Sequence, residues 1–500
     1  MCSLTKQLLN NNLPYLYTDN LKTIFKYNND KFNEFLDVLK NSDSILHLEL
    51  NQITLNNNKI VDIINILKDK TNINTININI NKKSDLSFIN NINKFNNVKV
   101  ILKVSTTKII ENKNFKDFIQ KSNIYRYIPN TKDINDLNFI INNSNLESID
   151  LTFISYSLNK KFFECLKNNT SINKIKINLE DDKQFIYYFS DFIKNNNPIN
   201  KLVINYKNNK ITNDIKPLIE AFKNNNKIQY LKLYQWRNIN NFSEVFKYNN
   251  TIKTFEIYGE PSNEIFKNHI EGDDLNNDKF EELRQLAYNS YNIEFNIDNL
   301  IKSLYNNKSL ENLYINCNTN HINVNINNNI NDGFYYIKDN NIFNELFLKN
   351  NTLKNLKLLD CNITDITGLL NNLNNNSSIE TLNLSFNKIN NIDNIFEILK
   401  TNLSLKELVL IDNNIKSIDN IYKIFETNKS LLKFDITYEN TIYDIEYFKD
   451  LYHKNITKNI NIEIINRMDK TAEELVEEMN NNTITEISIR DYHTFMCGIF

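Results

Sequence analysis

The sequence predicts an α/β solenoid, in which short parallel strands alternate with helices along one right-handed stack. The first observation is a period, since similar segments begin every 26 residues, at Leu353, Ile379, Leu405 and Leu431. The second is the x-L-x-L-x alternation inside these segments, which is typical of a strand with one buried face. The third is an apolar stripe at helical spacing after the strand, as at Ile392, Ile395, Phe396 and Leu399. Neither element buries its stripe alone, so each repeat needs neighbours on both sides.

A polar position follows each strand at a fixed distance. Three of the four segments spell L-x-x-L-x-L-x-x-[N/C]-x-L, with Cys361, Asn387 and Asn413 in the polar slot. A side chain that turns inward there can bond backbone groups of a neighbouring coil, which would otherwise be buried without partners. The pattern resembles that of leucine-rich-repeat proteins, most closely the ribonuclease-inhibitor-like subclass. The resemblance implies a horseshoe with a concave parallel sheet and convex helices.

The same alternation, less regular, extends towards both ends of the chain. Strand cores are predicted from Leu48/Leu50 through Tyr127/Ile128 to Phe255/Ile257, and on to Ile460/Ile462 and Ile487/Ile489 behind a last helix at 472–479. This gives a solenoid over residues 41–490 with about sixteen repeats. Residues 1–40 carry helical patterns and are predicted to cap the open end, and residues 491–500 form a tail. Insertions near 259–279 and 317–341 follow strands, and we expect a role in binding or neutral surface loops.

Asparagine-rich turns separate the predicted helices from the strands that follow. The motifs include LKNNTSI, FKNNNKI, FKYNNTI and LNNNSSI, whereas the whole chain has only five glycines. Asparagine tolerates the left-handed region better than other non-glycine residues. The prediction is therefore that these asparagines take the left-handed C-terminal capping position usually given to glycine.

Composition excludes several classes of function. The formal net charge is −2, which predicts no bulk attraction to nucleic acid or anionic membranes. The scarcity of glycine excludes phosphate-binding loops, and the five histidines and five cysteines lie too far apart for a metal or disulfide motif. No signal peptide or membrane span is predicted. We expect a monomeric, cytoplasmic, non-enzymatic protein without cofactor or metal.

The candidate binding residues lie between the buried strand positions, where side chains point away from the core. In the middle of the chain these positions become aromatic and charged, at Tyr230, Lys232, Tyr234, Trp236, Glu256, Tyr258 and Tyr314. Upstream they are basic, at Lys174, Lys176 and Lys201. Tyrosine and tryptophan are enriched in protein-binding hot spots, so the concave face is predicted to bind a protein partner. In the alternative interpretation Trp236 packs into a loop.

Two terminal motifs leave alternatives open. Cys497 begins a C-a-a-X ending that matches a geranylgeranylation signal, but no polybasic segment precedes it, so an apolar flap over the last repeat is favoured. The segment LPYLYTDNLKTIFKY, residues 13–27, resembles the opening of an F-box. That resemblance implies a substrate receptor of a ubiquitin ligase as the alternative function. Regulation of a small GTPase, as in some ribonuclease-inhibitor-like solenoids, is a third hypothesis.

Overall fold

The fold comes from a computed structural model, which describes most of residues 28–258, 297–317 and 341–435 with short gaps. It also describes Leu8, residues 13–17, Lys26 and residues 461–463. The chain divides into two compact units. The first is Met1–Trp236 with Glu244–Phe255, and the second is Arg237–Ser243 with Glu256–Phe500.

The first unit contains a parallel sheet in which each strand pairs with the next one along the chain. Its strands are β1 Tyr15–Leu16, β2 His47–Asn51, β3 Thr75–Ile80, β4 Lys99–Val104, β5 Ile124–Pro129, β6 Ser148–Asp150, β7 Lys174–Leu179, β8 Lys201–Tyr206 and β9 Tyr230–Tyr234. Strand β10, Thr254–Tyr258, holds the division between the units.

Helices alternate with these strands. They are α1 Asn29–Asn41, α2 Asn57–Leu67, α3 Lys113–Lys121, α4 Ile134–Asn143, α5 Lys160–Asn168, α6 Lys183–Lys194 and α7 Lys216–Asn224, with 3-10 turns at Ile89–Lys94 and Ile109–Glu111; α8, Asn241–Tyr248, also spans the division. Four of them begin at a side-chain cap, because Asn28, Asn112, Asn159 and Asp182 each accept from the N–H three residues on. Such caps satisfy amides that the first helical turn leaves unbonded.

The second unit repeats this plan. Its parallel strands pair in order and are β11 Asn312–Asn316, β12 Asn355–Leu359, β13 Thr381–Asn383, β14 Glu407–Val409, β15 Lys433–Asp435 and β16 Asn461–Glu463. Its helices are α9 Asp298–Ser303, α10 Asn341–Lys349 and α11 Asp393–Thr401, with a 3-10 turn at Leu373–Asn375. Each unit is therefore an α/β solenoid of leucine-rich-repeat type, as the period predicted.

Burial follows the predicted alternation. In β9 the pattern is half-exposed, buried, half-exposed, buried, half-exposed, with Leu231 and Leu233 in the core. We call the face that carries the half-exposed positions the open face of the sheet. One predicted pair is wrong: Tyr127 is buried, but Ile128 is not, and Ile124 and Pro129 complete the buried set of β5. A register shift between Val100 and Ile101 interrupts the simple alternation there.

The helix-end asparagines do not take the predicted conformation. Asn225, which follows α7, has φ −75° and ψ 131°, which is extended and not left-handed. Its Oδ1 accepts from the N–H groups of Lys227 (2.9 Å) and Ile228 (2.8 Å), and its Nδ2 donates to the carbonyl of Ile193 in the preceding repeat (2.8 Å). The same two-sided bonding recurs at Asn169, Asn249, Asn350, Asn376, Asn402 and Asn428. These asparagines bond one repeat to the next, so they form a ladder between repeats.

A second ladder uses the polar slot after the strand, as predicted. Asn387 is buried; its Nδ2 donates to the carbonyl of Leu358 (2.8 Å) and its Oδ1 accepts from the Cys361 N–H (2.9 Å). Left-handed backbone does occur in this turn, but one residue earlier than the slot, at Asp360, Phe386 and Asp412, with φ of 52°, 62° and 54°. The side chain in the slot thereby turns into the core.

Several predicted features lie outside the described residues. These are the insertion near 259–279, the insertion near 317–341 apart from its end residues Cys317 and Asn341, the helix at 472–479, the strand at Ile487/Ile489 and the tail with Cys497. The region predicted as an N-terminal cap contains β1 as well as most of α1, and β1 pairs with β2 as part of the sheet.

Candidate functional site

One row of side chains, half-exposed except for the buried Ser148, crosses five adjacent strands on the open face of the first unit. The strand register places Arg126, Ser148, Lys174, Lys201 and Tyr230 side by side, on β5 to β9 in that order. Neighbouring strands are about 4.8 Å apart, so the cations of this row are held near one another by the backbone.

A second row lies two residues further along the same strands. It contains Asp150, Lys176, Val203 and Lys232, on β6 to β9. Tyr234 of β9 lies two residues beyond Lys232, opposite Asn205 of β8. The residues of the two rows and Tyr234 line an open cavity of about 180 Å³, which we call the basic pocket. Among its lining residues are five cations, two tyrosines and a single carboxylate.

The single carboxylate of the basic pocket already has partners. Asp150 is 3% exposed, and its Oδ2 accepts from Arg126 Nη2 at 2.5 Å. Its Oδ1 accepts from the N–H and the hydroxyl of Thr152, at 3.2 and 2.6 Å. Because both oxygens are engaged, Asp150 fixes Arg126 and leaves the four lysines as the dominant charges of the pocket.

The two tyrosines lie beside lysines. Lys201 Nζ is 3.8 Å from the centre of the Tyr230 ring, and Lys232 Nζ is 4.7 Å from that of Tyr234. An ammonium over an aromatic face is attracted by the ring's negative quadrupole. These contacts hold the two lysines over the sheet.

The pocket is electrostatically crowded. The pKa of Lys174 is lowered, first because burial penalises its charged form and then because Lys201 and Arg126 lie close; Asp150 acts in the opposite direction. Neighbouring like charges disfavour the protonated amine. A bound anion would relieve this repulsion.

In the second unit, the predicted residues form a smaller group. The Tyr258 hydroxyl donates to Glu256 Oε2 at 3.2 Å, and Glu256 is only 8% exposed. Tyr314 lies opposite Lys357 in the register, and Lys357 Nζ is 4.7 Å from its ring centre. Burial raises the pKa of Tyr314, and the charge of Glu256 raises it further. Tyr258 and Tyr314 are half-exposed at the alternating positions of their own strands, while Glu256 is buried.

The prediction that Trp236 lies on the open face is wrong. Its side chain is 1% exposed and ranks among the largest fully buried groups of the described chain. It stands three residues after the buried Leu233, at the same offset as Asn387 after Leu384. That slot turns inward, so a tryptophan there enters the core.

Sequence reasoning missed the Arg126–Asp150 pair. Asp150 occupies a between-core position next to Ile149, and the sequence alternation already placed such positions on the open face. Arg126 was hidden by the assignment of Tyr127 and Ile128 as the core of β5. The alternation of β6 and β7 was the available signal, since it brings Asp150 beside Lys176.

The described residues contain no group of three or more His, Cys, Asp or Glu side chains arranged to hold a metal ion. Within the same part of the chain, no helix is long and apolar enough to cross a membrane.

No protein-family model matches the sequence, and no curated protein matches it. Among solved structures, the chain is similar to the crystal structure of a TLR13–ssRNA13 complex, with 14% sequence identity and a TM-score of 0.44. The match covers 87% of this chain and 57% of that one, so the chain spans little more than half of that protein's length. This similarity transfers neither ligand nor function.

Proposed function

We propose that the protein is a non-enzymatic scaffold that binds a protein partner on the open face of its sheet. The observation that carries this proposal is the basic pocket, where five cations and two tyrosines converge on a chain with a net charge of −2. Such a local charge steers a complementary partner and fixes its orientation. The tyrosines add contact area of a kind enriched in interface hot spots.

The binding surface proposed for the first unit comprises Tyr230, Lys232, Tyr234 and the lysines beside them. Tyr258 and Tyr314 form a further proposed contact in the second unit. Trp236 is omitted because its burial leaves no side-chain surface for a partner. Glu256 acts there by holding the Tyr258 hydroxyl.

The alternatives lack a specific supporting contact in the described residues. The F-box-like segment includes β1, a strand that pairs with β2, and an F-box opening would be helical. We also propose an intracellular location, because the three cysteines described, Cys165, Cys317 and Cys361, are free thiols, which suits a reducing compartment.

The test compares two double variants that introduce the same charge. Tyr230→Glu/Tyr234→Glu places it on the open face, whereas Tyr187→Glu/Tyr248→Glu places it on exposed helix positions of the same unit, which are 63% and 61% exposed. Affinity capture with quantitative mass spectrometry should find a partner lost from the first variant and retained by the second. Circular dichroism would establish that both fold. Partners retained by both variants, or lost from both, would contradict binding at this surface.

A further inference from the structure

We propose that the basic pocket binds an extended acidic segment of the partner, with carboxylates at alternate residues. This inference rests on the proposed function and adds the chemistry of the partner. The recognised groups are side-chain carboxylates of aspartate or glutamate.

The charge balance of the pocket favours an anion from outside. Lys174, Lys176, Lys201 and Lys232 line it, while Asp150 is occupied by Arg126 and Thr152. Half-buried like charges repel more strongly than charges in bulk water, because the local dielectric constant is lower. Carboxylates placed among the lysines would remove this repulsion and gain attraction.

The spacing of the cations favours an extended peptide over a compact anion. Lys174 and Lys176 lie two residues apart on β7, which is about 6.6 Å along a strand. Alternate residues of an extended peptide have the same separation and point to the same side. A segment that runs along the strands can therefore place successive carboxylates against successive lysines.

The types of cation in the pocket make phosphate a less suitable ligand than carboxylate. Planar, bidentate recognition of phosphate favours the guanidinium fork of arginine, whereas a lysine acts as a point charge. The one arginine of the pocket, Arg126, is held by Asp150 at 2.5 Å. Separate carboxylates suit four separate ammonium groups better.

The aromatic groups of the pocket are poorly placed to bind single-stranded nucleic acid. Binding of that kind uses aromatic faces as stacking platforms for bases. Here Lys201 and Lys232 lie over the faces of Tyr230 and Tyr234, which leaves less ring surface for a base. The pocket therefore fits an acidic protein segment better than a nucleic acid strand.

The experiment measures binding of the full chain to a fluorescein-labelled peptide of alternating glutamate and serine, by fluorescence anisotropy. Lys174→Gln/Lys176→Gln/Lys201→Gln removes three pocket charges. The matched control, Lys113→Gln/Lys161→Gln/Lys183→Gln, removes three exposed charges from helices of the same unit. We expect the pocket variant to bind about tenfold more weakly or worse, and the control to bind like wild type. Added salt should weaken wild-type binding, because the contacts are between charges.

Four results would overturn the proposal. The first three are no saturable binding of the peptide by wild type, an equal loss of binding in both variants, and displacement of the peptide by inorganic phosphate at a concentration at which sodium chloride of equal ionic strength has no effect. Tighter binding of a single-stranded oligonucleotide, lost in the pocket variant, would overturn it in favour of nucleic acid. If the pocket variant fails to fold, Lys176→Gln/Lys232→Gln serves the same comparison. Failure with the peptide, together with partner loss in Tyr230→Glu/Tyr234→Glu, would reject the acidic segment and leave the scaffold function standing.

Discussion

Asn225 offers a sharp test of how the repeats are held together. The substitution Asn225→Ala removes three hydrogen bonds of a side chain that is 3% exposed, namely those to Ile193, Lys227 and Ile228. A typical intramolecular hydrogen bond contributes about 1 kcal/mol net, so we expect the free energy of unfolding to fall by about 3 kcal/mol. The Ile228 amide would also be left buried without its acceptor, which adds to the loss of stability.

The adjacent residue provides the matched control. Asn224 is exposed, and its Nδ2 donates to the carbonyl of Glu220 within the same helix. Asn224→Ala should change the free energy of unfolding by less than about 0.5 kcal/mol. Urea denaturation measures both variants, with the shift in midpoint read at a constant slope. Hydrogen exchange of the peptide over residues 222–230 would locate the loss at this turn.

A glycine at the same position separates two models of the turn. If Asn225 were a left-handed cap, Asn225→Gly would be neutral or stabilising, since glycine adopts positive φ without cost. In the extended conformation seen here, glycine loses the three side-chain bonds and adds about 0.5–1 kcal/mol of backbone entropy in the unfolded chain. Asn225→Gly should therefore be less stable than Asn225→Ala. A glycine variant as stable as wild type would refute the ladder.

Three further outcomes follow from buried groups. Burial raises the pKa of Tyr127 well above 10, and its hydroxyl is among the buried atoms without a hydrogen-bond partner in the described structure, so Tyr127→Phe should raise the free energy of unfolding by about 1 kcal/mol in urea titrations. The neutral phenol is favoured in the fold, so wild type should lose stability as pH rises above about 10, where the unfolded phenol ionises, and the variant should lose less. Cys317 and Cys361 are 0% and 2% exposed, and burial raises the pKa of Cys317. Mass spectrometry should therefore find both thiols unmodified by iodoacetamide until the protein is unfolded. Rapid labelling of the native protein would contradict this burial. Asp150→Asn removes the carboxylate that holds Arg126 and makes the net charge of the pocket more positive by one, so the acidic peptide should bind several-fold more tightly by anisotropy while thermal stability falls. Weaker peptide binding by a folded variant would contradict the role of charge in the pocket.

Much of the fold could be predicted because apolar residues form both its 26-residue period and the alternation of its strands. Leu231 and Leu233 are buried as expected, and so are the corresponding pairs on most other strands. The prediction failed at Ile128, because β5 departs from strict alternation where its pairing with β4 shifts in register. A bulge inserts one residue on one strand, and nothing in the apolar pattern of that strand marks it.

The helix ends show a different kind of failure. The asparagine motif was recognised, and its position at the helix end was correct, but its mechanism was not. Asparagine can satisfy a turn either through a left-handed backbone or through its side chain, and both give the same sequence signal. In Asn225 the side chain does the bonding, because its Nδ2 also reaches the carbonyl of Ile193, which a left-handed glycine could not do. Contacts between repeats decide the choice, and a local motif does not contain them.

The candidate site was predictable only where alternation held. Tyr230, Lys232 and Tyr234 are half-exposed on the open face, as the pattern of β9 required. Trp236 departs from the predicted exposure because its place in the inward-turning slot decides its burial, and hot-spot enrichment does not depend on that place. Arg126 was missed because the register of β5 was misassigned.

The two asparagine ladders also explain why the open face can specialise. Their members bond backbone groups at helix ends and after strands, as the buried Asn225 and Asn387 do. These ladders do not use the half-exposed strand positions, so a substitution such as Lys176→Gln removes a charge without removing a bond between repeats. Stability and recognition therefore depend on different residues of the same repeat. This separation predicts that the lysine variants of the pocket change affinity while their unfolding midpoints stay near that of wild type, and that the ladder variants do the reverse.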